Sequence, residues 1–102
     1  MYGLLERDID YILEAARKYP EIEEVILFGS RAMGNYKKAS DVDLALIGEN
    51  IDQHTIRNIT DDLNEVYPLP YFFDVVNYHE ISNEALKEHI DTVGKSIYKK
   101  TS

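Results

Sequence analysis

Two apolar runs constrain this chain more than any other feature. Val25-Ile26-Leu27-Phe28 stops abruptly at Gly29-Ser30, and Val42-Asp43-Leu44-Ala45-Leu46-Ile47 is entered through Asp41 and interrupted by Asp43. Short runs rich in β-branched and aromatic residues and closed by glycine read as buried strands, here about 23–28 and 42–47, the second ended by Gly48. Carboxylates at the mouth of such a core are costly unless something compensates them, so Asp41 and Asp43 call for an explanation.

The rest of the chain supplies what packs around these strands. Over residues 4–18, Leu5, Ile9, Ile12, Leu13 and Ala16 recur at helical spacing, with Glu6, Asp8 and Arg17 off that stripe and Pro20 just beyond it. A second helix is expected over 53–66, where Ile56, Ile59, Leu63 and Val66 repeat before Pro68 and Pro70 break the pattern. Tyr71 to Tyr78 reads as a third strand. Ser82 is the expected N-cap of a last helix carrying Leu86, Ile90 and Val93, with Gly94 as its C-cap. The closing Lys-Ser-Ile-Tyr-Lys-Lys is either an edge strand or a frayed tail. With no repeat, linker or low-complexity stretch, residues 1–102 are expected to form one mixed α/β (α+β) domain, a small sheet flanked by helices.

Composition removes several classes of function. The 102 residues include no cysteine, so disulfides, thiolate metal sites and cysteine nucleophiles are excluded. A metal would have to be held by oxygen or histidine. The formal net charge of −8 opposes stable binding to nucleic acid, whose affinity rests on Lys and Arg neutralising phosphates, but a small anion arriving with its own divalent ion is compatible. No stretch is apolar enough for a membrane span, and the start of the chain is acidic and amphipathic rather than a basic leader, so a cytoplasmic location is expected.

The remaining polar residues carry the chemistry. Residues two apart on a strand share a face, so Asp41 and Asp43 project together while Val42 and Leu44 enter the core opposite. An isolated Asp-x-Asp is most often a loop end and an exposed strand residue. Asp74 changes the weighing, because it interrupts Tyr-Phe-Phe-Asp-Val-Val, where a carboxylate among large apolar residues is expensive. If that strand lies beside the 42–47 strand, three carboxylates meet and suit a hard divalent ion such as magnesium or manganese, completed by substrate phosphates. Gly29-Ser30, turning into a short helix from Ser30 to about Gly34, offers backbone N–H groups and a hydroxyl to an anion, and Arg31 adds positive charge. Lys37 and Lys38 extend that charge or are simply solvated. A P-loop is excluded, since Asn35-Tyr36 stands where that motif needs Lys followed by Ser or Thr. His54, His79 and His89 stand singly and read as structural or solvated.

The pattern Gly-Ser-x-Ala-x-Gly, then Ser40-Asp41-x-Asp43-Leu44, then a lone Asp74 on a later strand, resembles the nucleotidyltransferase superfamily related to DNA polymerase beta, and its short length resembles the minimal nucleotidyltransferases paired with HEPN-domain proteins. The resemblance implies the polymerase-beta-like nucleotidyltransferase fold. It implies that Asp41 and Asp43 bind two magnesium ions, that Asp74 binds one of them beside the attacking hydroxyl, and that Gly29, Ser30, Arg31 and Ser40 hold the nucleotide. It further implies an antitoxin that transfers AMP from ATP to a tyrosine of a partner HEPN toxin. Two other readings stand beside it: a non-catalytic nucleotide-binding antitoxin of the same fold that neutralises its partner by occlusion, and transfer to a small molecule, for which the chain carries no acceptor-binding domain. Some of the eight tyrosines could accept a self-transferred label, though Tyr71 and Tyr78 read as core or edge residues.

Overall fold

The computed structural model describes residues 1–101. In chain order it contains α1 (Glu6–Arg17), β1 (Glu24–Phe28), α2 (Ser30–Met33), β2 (Val42–Ile47), α3 (Gln53–Asp61), β3 (Phe73–Asn77), α4 (Glu84–Val93) and β4 (Lys95–Lys99). The strands form one sheet in the order β3-β2-β1-β4. β1 pairs antiparallel with β2 and with β4, whereas β3 adds to β2 in parallel, which makes the sheet mixed as expected. The Lys-Ser-Ile-Tyr-Lys segment is therefore an edge strand rather than a tail, its lysines exposed along the edge, where charge discourages pairing with another chain.

Strand alternation sorts the sheet into two faces. Val25, Leu27, Val42, Leu44, Leu46, Phe73 and Val75 point one way, into a core closed by Ile12, Ala15 and Ala16 of α1 and by Ile59 of α3. Phe28 and Ala45 point the other way, against Ile90 and Leu86 of α4. One helix covers this second face, so part of it stays open. Among the described residues no helix is long and apolar enough to cross a membrane.

Several local expectations are corrected by side-chain chemistry. Helix α1 begins after Leu5, which is exposed, and its inner face includes Asp8, which takes hydrogen bonds from the Leu5 N–H and the Tyr71 hydroxyl. A buried carboxylate at the first turn of a helix satisfies a free backbone donor and favours the dipole. The second helix does not run unbroken to Val66: α3 passes at Asp62 into a π-helical turn, Asp62–Val66, and the Asp62 carboxylate is held by the Tyr19 hydroxyl and by Lys18. The N-cap of α4 is Asn83, not Ser82, because the Asn83 side chain accepts from the Leu86 N–H. The third strand is shorter than 71–78, since Tyr71 leaves it to reach Asp8 and Tyr78 starts a 3-10 turn.

Candidate active site

Register brings two of the three acids together. Asp43 lies opposite Phe28 across the β1–β2 ladder and directly opposite Asp74 across the β2–β3 ladder. Both carboxylates project onto the face covered by α4, because their neighbours Val42, Leu44, Phe73 and Val75 fill the opposite core. Asp41 stands just before β2 with the same parity, exposed to solvent. The cost expected for Asp74 does not arise: it is exposed, the apolar residues on either side of it being directed through the sheet rather than around it. What sets Asp74 beside Asp43 is alternation on an edge strand paired with β2, and not burial.

Over this pair sits the Gly29 turn. Gly29 has φ +75°, a conformation that disfavours a side chain, and a Cβ there would run into the Asp43 carboxylate. Only glycine lets the backbone approach that closely. The turn opens directly into α2, whose C-cap Gly34 is left-handed, as the expected short helix from Ser30 to Gly34 requires.

The Gly29 N–H donates to Nε2 of His89 on α4 at 3.0 Å, and the His89 ring meets Phe28 edge to face at 6.1 Å. His89 is therefore a member of the site, unlike exposed His54 and His79. Its signal in the sequence was position: it falls three residues after Leu86 and one before Ile90, on the helix face that meets the sheet.

Electrostatics follow from this crowding. Partial burial, then the charges of Asp74 and Asp41, push the Asp43 carboxyl up to about 6, an effect that His89 partly offsets. Among the described residues Lys18 and Asp62 form an ion pair elsewhere, and no lysine or arginine forms one with this cluster. An oxygen-only, negatively charged set with a carboxyl that holds its proton too tightly is the chemistry a hard divalent cation relieves. Among the described residues no three acidic or imidazole side chains already converge into a metal-holding group. The donor type fits magnesium, with a shell to be completed by substrate oxygens and water.

Arg31 departs from its expected role. It is buried at 1% exposure, with its guanidinium donating to the carbonyls of Tyr2, Ser40 and Lys38 and lying over the rings of Tyr36 and Tyr71. A guanidinium enclosed by carbonyls and aromatic faces is a tie between α2, the chain before β2 and the N-terminal segment. Its donors are engaged within the fold. Ser40 is likewise engaged, its hydroxyl accepting from the Lys37 N–H and its carbonyl from Arg31, so it shapes the approach to Asp41. Lys37 and Lys38 are exposed.

Comparison with known proteins points the same way as the geometry. Residues 10–102 match the family model described as polymerase beta, nucleotidyltransferase. A relative from Methanocaldococcus jannaschii, provisionally assigned by name as a protein adenylyltransferase, is 34% identical over 65 residues, covering 64% of this chain and 50% of its own. The match thus spans about half the length of that relative. Among solved structures, a chain of a toxin-antitoxin complex with AMP-PNP superposes with a TM-score of 0.72 at 23% identity, covering 95% of this chain and 75% of its own. A chain of the complex of a tri-AMPylated HEPN toxin from Shewanella oneidensis with an MNT antitoxin gives 0.71 at 20% identity, covering 98% and 74%. These two structural likenesses bear on the fold.

Proposed function

The chain belongs to the polymerase beta nucleotidyltransferase family, and from that premise we propose that it is a magnesium-dependent protein adenylyltransferase, moving AMP from ATP to a tyrosine hydroxyl of a HEPN-domain toxin and so acting as its antitoxin. The observation that carries this reading is the register of Asp43 against Asp74 with the Gly29 turn lying over the Asp43 carboxylate. A phosphate bound at that turn would lie beside a carboxylate pair. The M. jannaschii relative named for protein adenylyltransfer, and the solved structures of a toxin-antitoxin complex with AMP-PNP and of a tri-AMPylated HEPN toxin with an MNT antitoxin, support the choice of nucleotide and partner.

In the reaction, the acceptor oxygen forms a bond to the α-phosphorus of ATP, the bond from that phosphorus to the bridging oxygen breaks, and pyrophosphate leaves. Asp41, Asp43 and Asp74 would hold two magnesium ions, which would supply neutralisation of the charge developing on the phosphates and a lower pKa for the attacking hydroxyl. Gly29 lets the β- and γ-phosphates approach the turn, its own N–H being given to His89, and Ser30 holds them through its backbone N–H and hydroxyl. Asp74, exposed on the edge strand, is placed to receive the acceptor's proton. Arg31 and Ser40 act on the nucleotide only indirectly, by fixing the turn and the approach to Asp41. A cytoplasmic location accords with a supply of ATP and magnesium.

The test is transfer of label from α-labelled ATP, with magnesium, onto the purified HEPN-domain protein of the same host. Label on that protein with the wild type, and none with the Asp41→Asn, Asp43→Asn double variant, is the expected result. A double variant that still neutralises the toxin, beside a wild type that transfers nothing, would instead establish neutralisation by occlusion.

A further inference from the structure

Phe72 is 60% exposed, although it immediately precedes β3, and its carbonyl accepts from the Val42 N–H at 2.9 Å. That bond continues the β2–β3 ladder, so Phe72 stands beside Asp41. Phe73, fully buried, points into the main core, so Phe72 and Asp74 share the opposite face. Among the described residues the Phe72 ring joins neither apolar cluster and no aromatic pair. A large aromatic left in water next to three carboxylates gains nothing for this fold. Its 60% exposure leaves apolar area whose burial by another molecule would be favourable.

The two flanks of the carboxylate pair are not equivalent. On the β1 side the Gly29 turn closes over Asp43, which is where the phosphates are proposed to lie. On the β3 side the sheet ends, since β3 is an edge strand. A molecule too large for a pocket can reach exposed Asp74 over this open side. Phe72 stands on that approach, in line with the carboxylate that receives the proton.

Resting on the adenylyltransferase reading above, we infer that Phe72 is a docking contact for the acceptor protein: it packs against an apolar or aromatic part of the polypeptide segment that presents the reacting hydroxyl, and thereby sets that hydroxyl beside Asp74. The occupant is a protein segment rather than the nucleotide, because the phosphate turn lies on the far flank of the pair. An exposed aromatic at the rim of a catalytic pair is also the kind of residue that anchors protein interfaces.

The experiment compares wild type, Phe72→Ala and Phe72→Tyr in three measurements: the affinity for ATP with magnesium, the affinity for the unmodified HEPN-domain protein of the same host, and KM for that protein in label transfer. Phe72→Ala is expected to weaken partner binding and raise KM for the acceptor about tenfold, the loss typical of an anchoring aromatic, with ATP affinity unchanged. Phe72→Tyr, which keeps the ring, is expected to restore most of the loss. Unchanged partner affinity and KM in Phe72→Ala overturn the inference, and so does a fall in ATP affinity, which would make Phe72 a nucleotide contact. If the wild type transfers no AMP while Phe72→Ala still loses partner affinity, the docking contact stands and the transfer reading falls.

Discussion

The two faces of one sheet differ more than any two separate parts of this molecule. Leu44 and Asp43 are consecutive, yet Leu44 lies at 0% exposure in a core closed by α1 and α3, while Asp43 lies under a glycine turn among like charges. The first face is dry and apolar; the second is half covered, by a helix that contributes an imidazole as well as leucine and isoleucine. Stability and chemistry thus occupy opposite sides of the same strands, and alternation alone keeps them apart. The difference teaches that the chemical face is one the fold tolerates: its carboxyl cluster raises the free energy of the empty protein, a cost that the proposed cation would offset.

Substitutions that exchange the character of the faces test this division. The largest expected effect is on the chemical side: Asp43→Asn should lower AMP transfer by at least about 100-fold, as loss of an acid, base or metal-holding group does, while circular dichroism shows the fold intact. A comparable loss of folded protein would show that the two faces are coupled after all. On the dry side Leu44→Ala should cost about 2–5 kcal/mol in urea unfolding, with activity per folded molecule unchanged.

A third effect follows from the Asp43 carboxyl, pushed up to about 6 by burial and by Asp74 and Asp41. Because the folded state then binds its proton more tightly than the unfolded chain, the metal-free protein loses stability as pH rises from about 4 through 6. After allowing for solvent screening the loss is on the order of 1–2 kcal/mol, and it should vanish in Asp43→Asn. Urea midpoints measured at pH 4.5 and 7 in chelator would show it; equal slopes with pH for wild type and variant would refute it. The smallest expected effect lies at the seam between the faces. His89→Ala removes the acceptor for the Gly29 N–H and should weaken magnesium-dependent ATP binding about three- to fivefold, in line with one hydrogen bond worth roughly 1 kcal/mol. Calorimetry decides it, and unchanged affinity would leave His89 as packing alone.

Much of this arrangement was legible in the amino-acid order because period-two alternation carries it. Asp41 and Asp43, the Gly29-Ser30 break and the run around Asp74 all announce themselves as exceptions to an apolar pattern, and each falls on the chemical face. What could not be read is what depends on contacts between distant segments. Arg31 looked like a free charge near a phosphate, yet carbonyls from Tyr2, Lys38 and Ser40 enclose it, and carbonyls leave no mark on residue type. His89 reached Gly29 across the sheet from a helix whose amphipathic stripe suggested packing only. The π-helical turn at Asp62–Val66 arose from tertiary demands on Asp62 that the regular spacing of Leu63 and Val66 conceals.

The parallel pairing of β3 with β2 also orders events in time. The β1–β2 hairpin is local, joined through α2 and the segment before β2, and it contains the phosphate turn together with Asp41 and Asp43. Asp74 arrives only after a long loop, carrying α3 and its π-helical turn, has closed to lay β3 alongside β2, a step whose entropic cost makes it slow relative to hairpin formation. A nascent chain therefore builds the proposed nucleotide half before the proposed acceptor half. Fraying of β3 in the folded protein would withdraw Asp74 and Phe72 in one event, so the proposed chemistry and the proposed grip on the acceptor would share one point of failure.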